Sequence, residues 1–380
     1  MSAAPAARTP RRVLSVLPHA GGNVPATLPI LAELAARGDA VIVLGHEQVR
    51  ATVERGGLEF VAFQHARRWS ASVDRPGMRS LAGYLTMASD RGSGRDVRRI
   101  AESFHPDMIL LDCMVPGAMR SAKATGASVV MVMHTLYSYW DAQWSPHSPM
   151  GLWLRLTGTL PTSASRLPDA ALLTTMPELD PLPERTRLRR GLIVQTGPTV
   201  ASTPTGAAGD DASVLISLST ISYPGQEQVL QRLVDAVADL PVRAVVSTGP
   251  SLDPAAIAAP ASVTVKQYLD HDEIMRTARL VVGHGGHGTS MRALSHGIPL
   301  LVVPMSSVAD HYLVADAVVA AGAGGTVSKR ASTEELRSVI ARMLQDPAPR
   351  RGAQRLAALL AGRDGAAAAV TAIDDVLNRA

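Results

Sequence analysis

The 380-residue chain carries a single cysteine, Cys113, and only three lysines beside 34 arginines. One thiol excludes an internal disulfide framework and a cysteine-based zinc site, and it is compatible with a reducing compartment. Aromatic residues make up 3% of the chain. Basic and acidic side chains nearly cancel, 37 against 33, leaving a formal charge of +4. There is no basic stripe with interleaved aromatics, so a nucleic-acid partner is not expected. The densest basic run, 185–190, is interrupted by Thr186 and Leu188 and reads as a solvated face. No apolar stretch approaches the roughly 18 residues of a membrane span. Residues 1–10 lack the apolar centre of a signal peptide, so a cytoplasmic location is expected.

What is present is a repeated pattern of strand, glycine-bearing turn and helix. An apolar run over 12–17 ends at Pro18-His19-Ala20-Gly21-Gly22, and Leu28, Ile30, Leu31, Leu34 and Ala35 then recur at helical spacing up to Gly38. Further buried strands are predicted over 40–44, 108–111 and 129–133. Segment 197–212 is Gly, Pro, Thr and Ala with almost no large apolar residue, and reads as a linker. The rhythm then restarts, with strands predicted over 213–218, 243–247, 263–265, 279–282 and 299–303. Alternating β and α elements imply parallel sheets with right-handed crossovers. We expect an N-terminal domain over 11–197, a linker over 198–212, a C-terminal domain over 213–365 and a last helix over 366–380. Two doubly wound α/β domains put a ligand cleft between their strand ends.

The most informative segment is Gly283-His284-Gly285-Gly286-His287-Gly288-Thr289. It follows a predicted strand and opens a predicted helix. Such a loop offers backbone amides and the positive end of a helix dipole, which suits a phosphate. The Gly-Lys-Ser/Thr of a nucleotide-binding P-loop is missing. The spacing also departs from the dinucleotide fingerprint. His284 and His287 have no third ligand at sensible spacing, so no metal is expected.

These residues, with Ala293-Leu294, Gly297-Ile298-Pro299, Pro304 and Asp310-His311, resemble the C-terminal signature of the family-1 glycosyltransferases. Those enzymes have the GT-B fold, two Rossmann-like domains facing a central cleft, and use nucleotide-diphosphate sugars. Gly21-Gly22-Asn23-Val24-Pro25, Ser217-Leu218-Ser219-Thr220 and Ser247-Thr248-Gly249-Pro250 are similar to a bacterial natural-product subset of the family. The resemblance implies that His284 contacts the phosphates, with the amides of Gly286, Gly288 and Thr289 around the pyrophosphate. It also implies that Ser219 and Gly249 border the diphosphate, that Tyr268 stacks on a uracil or thymine ring, and that Asp310 and His311 hold sugar hydroxyls. His311 replaces the family's glutamine, which would suit a deoxysugar. Arg292 stands where many members have a ribose-binding glutamate, and a guanidinium cannot accept from a diol.

Sugar transfer to a hydroxyl needs a base near the acceptor and stabilisation of the leaving diphosphate. His19, at the end of the first strand, is the expected base, and Asp112, at the family's aspartate position, is expected to orient it. The loop counts imperfectly, however: from the helix end Asn23 falls at the family's base position, and from the strand Gly21 does. Asp112 acting directly, or His19 merely lining the cleft, stays open. Trp69, Met78 and Tyr84 in one segment, and His134, Tyr137, Trp140 and Trp144 in another, are expected to line the site of an apolar acceptor. The expected partners are therefore a TDP- or UDP-sugar and a hydrophobic natural-product acceptor, with no cofactor, no metal and no membrane span; a homodimer is compatible. The expected reaction is inverting transfer of a sugar to a hydroxyl or amine. The same features would serve a drug-inactivating enzyme. A catalytically silent auxiliary partner is the alternative from another class.

Overall fold

Two parallel sheets account for the repeated strand–turn–helix pattern. The computed structural model describes residues 9–71, 78–200 and 213–379. Among these, the first sheet comprises β1 (Arg12–Leu17), β2 (Ala40–Gly45), β3 (Glu59–Ala62), β4 (Met108–Asp112), β5 (Ser128–Met133), β6 (Ala170–Leu173) and β7 (Ile193–Gln195). Its spatial order is β3-β2-β1-β4-β5-β6-β7. The second comprises β8 (Ser213–Ser217), β9 (Arg243–Ser247), β10 (Val263–Lys266), β11 (Ala278–Gly283), β12 (Leu300–Val302) and β13 (Gly324–Thr326), in the order β10-β9-β8-β11-β12-β13. β4 and β8 are buried at every residue. Helices cover both faces, which is why these strands read as continuous apolar runs without alternation.

Strands β3, β6, β7 and β13 lie outside the sequence prediction. β13 is Gly-Gly-Thr, without any apolar signal, and owes its place to pairing with β12. In each sheet the chain reverses its direction of strand addition between the first strand and the fourth, at β1/β4 and at β8/β11. Loops leaving the carboxyl ends of such neighbours diverge and open a crevice.

The two sheets fall on either side of 198–212, of which residues 201–212 lie outside the described part. The last helix, Gly365–Leu377, does not extend the second domain. Its Ala369, Val370 and Ile373 share one buried cluster with Ile30, Leu31 and Leu34 of helix Asn23–Ala36. Gly365 lies so close to Pro198 that an added β-carbon would sit 2.2 Å from its carbonyl oxygen. The two crossings between the domains therefore touch.

Candidate functional site

The two switch points face each other across a cleft of about 610 Å³. One wall is built from the loop after β1 and the ends of β4 and β5. The other is built from the loops after β8, β9, β10 and β11.

On the second wall, β11 delivers the chain at Gly283 into a turn where Gly285 has φ +92°. A β-carbon there would meet the His311 carbonyl oxygen at 3.0 Å and Val302 Cγ1 at 3.1 Å. Only glycine meets both conditions. Helix His287–Ser295 follows, with Gly286 at its N-cap and no side chain satisfying its first amides. Those amides, with Gly286, Gly288 and Thr289, line the cleft. Burial holds His284 down at about 4, so its ring is neutral and its Nδ1 is buried without a partner. Ser219, Gly249, Tyr268, His284, Asp310 and His311 all border the same cleft, as their sequence positions suggested. Tyr268 is 66% exposed, a ring standing free and not packed at a strand end. Arg292 also lines the cleft, with its Nε 2.9 Å from Asp272.

His311 departs from the expectation that it holds sugar hydroxyls. The amides of Met305 and Ser306 both donate to its Nδ1 at 3.2 Å. With Nδ1 accepting, Nε2 carries the proton, and it lies 3.1 Å from the Tyr223 hydroxyl. Both ring nitrogens are occupied. His284, His311 and Tyr223 pack as an aromatic trio, with the two imidazole centroids 4.7 Å apart and nearly perpendicular. Tyr223, unmarked by any motif, is part of the frame that fixes His284. Asp310 lines the cleft, and burial raises its carboxyl to about 6.

The domains are locked together over this cleft. Thr135 Oγ1 donates to Asp310 Oδ2, and the Tyr139 hydroxyl donates to the Val308 carbonyl at 2.9 Å. His287 reaches the first domain, its Nε2 3.3 Å from Thr174 Oγ1, and burial holds it at about 3.

The expected pairing of His19 with Asp112 is not formed. The His19 backbone amide donates to His46 Nδ1 at 3.0 Å, and its ring Nδ1 lies 3.3 Å from Ser70 Oγ. His19 is absent from the cleft lining. Burial, with His46 nearby, lowers its affinity for a proton. Asp112 instead accepts from Asn23 Nδ2 at 2.9 Å and from the Met114 amide at 2.7 Å, and His134 Nε2 lies 3.3 Å from its Oδ1. Asn23 opens helix Asn23–Ala36, so the count back from the helix end identified the position facing Asp112. What occupies it is an amide, which cannot take a proton at neutral pH.

Among the described residues, Asp112, Cys113 and His134 form the group whose potential ligand atoms lie within 4.8 Å of one another. All three are buried, and the Asp112 carboxylate is already satisfied by three neighbours. We read the group as a hydrogen-bonded cluster. His284 and His287 do not join any such group.

The acceptor segments divide. Trp69, Tyr84, His134 and Trp140 line the cleft. Tyr137 and Trp144 do not: both are fully buried in the first domain's core. Tyr137 donates to Asp141 at 3.0 Å, and Trp144 stacks behind Trp140 with centroids 5.5 Å apart. They sit on the inward face of helix Tyr137–Gln143 or just past its end, where the core claims them. The side chain of Met78 lies outside the described residues. Met114, Met150 and Ala71 complete the apolar wall.

Residues 231–373 match a family described as Erythromycin biosynthesis protein CIII-like, C-terminal domain. The 4'-demethylrebeccamycin synthase of Lentzea aerocolonigenes is 25% identical, over 96% of this chain and 99% of its own length. The calicheamicin glycosyltransferase CalG4 superposes with a TM-score of 0.76 at 20% identity, covering 98% of this chain and 99% of its own. A spinosyn rhamnosyltransferase solved with thymidine diphosphate superposes with a TM-score of 0.71 at 23% identity, over 96% of this chain and all of its own. The same enzyme has been solved with spinosyn aglycone.

Proposed function

We infer that this chain is a GT-B glycosyltransferase related to the antibiotic glycosyltransferases, a nucleotide-sugar-dependent enzyme, and its chemistry follows from that premise. It transfers a sugar to an aglycone. We propose that the donor is a TDP-deoxysugar and the acceptor a hydroxyl or amine of an apolar, polycyclic natural product. The observation that carries this reading is the pairing, across one cleft, of an amide-lined glycine loop with an aromatic and methionine wall.

Each side of the cleft has a task. The first turn of helix His287–Ser295 and the amides around Gly286 suit the charge that grows on the leaving diphosphate. This stabilisation needs no metal. His284, held neutral by burial, gives a hydrogen bond without adding a fixed charge. The open ring of Tyr268 suits stacking on thymine, which contributes about 1–3 kcal/mol per base in other proteins. Asp310 accepts from a sugar hydroxyl, while His311, already occupied, cannot without losing a partner. A site with fewer free sugar-binding groups favours a sugar with fewer hydroxyls. Trp69, Tyr84 and Trp140 present flat apolar faces to the acceptor. Attack from the first wall on a sugar held by the second is a single displacement, which inverts the anomeric centre. The lone buried thiol of Cys113 suits work in the cytosol.

The test is calorimetric titration with TDP, UDP and ADP, on the wild type and His284→Ala. TDP binding that the variant loses supports the donor site, and preference for TDP over UDP supports the donor class. Wild-type protein that binds none of the three refutes the reading.

A further inference from the structure

His134, at the end of β5, is where an acceptor-activating base would have to come from. Asp112 itself is held by Asn23, the Met114 amide and His134, which leaves three other side chains to consider. The His19 ring has its Nδ1 3.3 Å from Ser70 Oγ, and His19 is absent from the cleft lining. Asn23 touches Asp112 but has no basic atom. His134 touches Asp112 from the other side and lines the cleft among Trp69, Tyr84 and Trp140. We propose, resting on the glycosyltransferase reading above, that His134 is the catalytic base for acceptor deprotonation and that Asp112 is its positioning residue.

The geometry supports each part of this role. With Asp112 accepting from Nε2, the ring, once it has lost its second proton, is fixed as the tautomer whose Nδ1 holds the lone pair. Asn23 anchors the other carboxylate oxygen and donates to the Pro18 carbonyl at 2.7 Å, so Asp112 cannot swing away. The next residue, Thr135, makes the bridge to Asp310 of the donor wall. One strand end thus carries the base and a link to the sugar-binding carboxylate. In the reaction, the acceptor O–H proton passes to His134, the acceptor oxygen bonds the anomeric carbon, and the carbon–oxygen bond to the diphosphate breaks with its electron pair leaving on TDP.

The groups facing the ring are Asp112 at the end of β4, Cys113 just after it, His287 from the donor-domain helix, and Asp310. Burial pulls His134 down, but Cys113 and Asp112 outweigh it and hold the ring well above the usual imidazole range. The ring acts as a base only after giving up this proton, so the acidic limb of the rate profile lies above about pH 6.5.

The experiment uses the deoxysugar donor TDP-rhamnose with a series of substituted phenols of graded acidity, on wild type, His134→Gln, Asp112→Asn and His19→Gln. TDP affinity is measured in parallel. General-base catalysis is typically worth roughly 10²–10⁴-fold. His134→Gln should lose that much on the weakly acidic phenols and far less on those already ionised, with TDP affinity unchanged. Its acidic limb should vanish, and Asp112→Asn should shift the limb to lower pH. If no phenol is a substrate, hydrolysis of TDP-rhamnose, with water as acceptor, gives the same comparison. Equal rates for His134→Gln and wild type overturn the proposal, as does a loss in His19→Gln matching that expected of His134→Gln. Failure of the wild type to bind TDP is a separate result and overturns the donor reading first.

Discussion

Two neighbouring glycines in the diphosphate loop should separate stability from binding. Gly285 has φ +92°, and the α-hydrogen that an alanine methyl would replace points at the His311 backbone, where the added carbon would sit 3.0 Å from the carbonyl oxygen. Left-handed backbone costs a non-glycine residue about 1–2 kcal/mol. Overpacking adds about 1–3 kcal/mol where the neighbour is backbone and cannot yield. Gly285→Ala should therefore lose about 2–5 kcal/mol, a fall in Tm of several degrees. Gly286 has φ −67° and ψ 141°, ordinary for any residue. Its added methyl would lie 2.3 Å from His284 Nε2, so the imidazole must leave its place beside His311. Gly286→Ala should cost under about 1 kcal/mol of stability at this N-cap. It should weaken TDP by the hydrogen bond His284 can no longer make, about 1.5–3 kcal/mol for a charged partner, or roughly 10–150-fold in Kd. Differential scanning calorimetry and TDP titration of both variants decide the matter. A Gly286→Ala protein that binds TDP like the wild type would refute the role given to His284. A Gly285→Ala protein as stable as the wild type would refute the strain argument.

Other expectations follow from the same geometry. Tyr268→Ala should weaken TDP by about 1–3 kcal/mol with no change in Tm, since the ring is largely exposed. Titration of that variant checks it, and unchanged affinity would remove the stacking assignment. His287 is held at about 3 in the folded chain against a usual 6.5 when unfolded. The unfolded state therefore binds more protons between these values, and the stability from keeping this ring neutral, complete above about pH 6.5, is lost as pH falls towards 3. Asp310, raised to about 6, acts in the opposite sense: its contribution is complete below about pH 4 and lost as pH rises through 6. Denaturant unfolding should thus show His287→Gln losing less stability than the wild type between pH 6.5 and 4, and Asp310→Asn gaining relative to wild type above pH 6.

The strand-and-turn pattern was legible because parallel strands buried on both faces leave unbroken apolar runs, as in β4 and β8. Strands such as β13, with no such run, exist only through their neighbours and left no trace in sequence. The glycine loop was legible because at Gly285 the backbone and its close neighbours leave no other residue type. The base was not. His19 lay at the right strand end, but a side chain's direction depends on its partners, here Ser70, 51 residues away, while His46, 27 residues away, takes the backbone amide. The same limit applies to Tyr137 and Trp144, aromatic residues in the right segment that the core had already taken. Asp112 was identifiable from its strand end, while its partners Asn23 and His134 become neighbours only through folding.

The final helix, Gly365–Leu377, bears on how donor specificity can be transplanted. The donor wall looks like a module that could be exchanged at one junction after β7. Yet a graft that continued to the chain's end would carry a foreign helix onto the first domain, asking other side chains to replace Ala369, Val370 and Ile373 against Ile30, Leu31 and Leu34. The acceptor domain would lose part of its own core in the exchange. A chimera that respects this architecture needs two junctions, the second just before Gly365, so that the recipient keeps its native C-terminus.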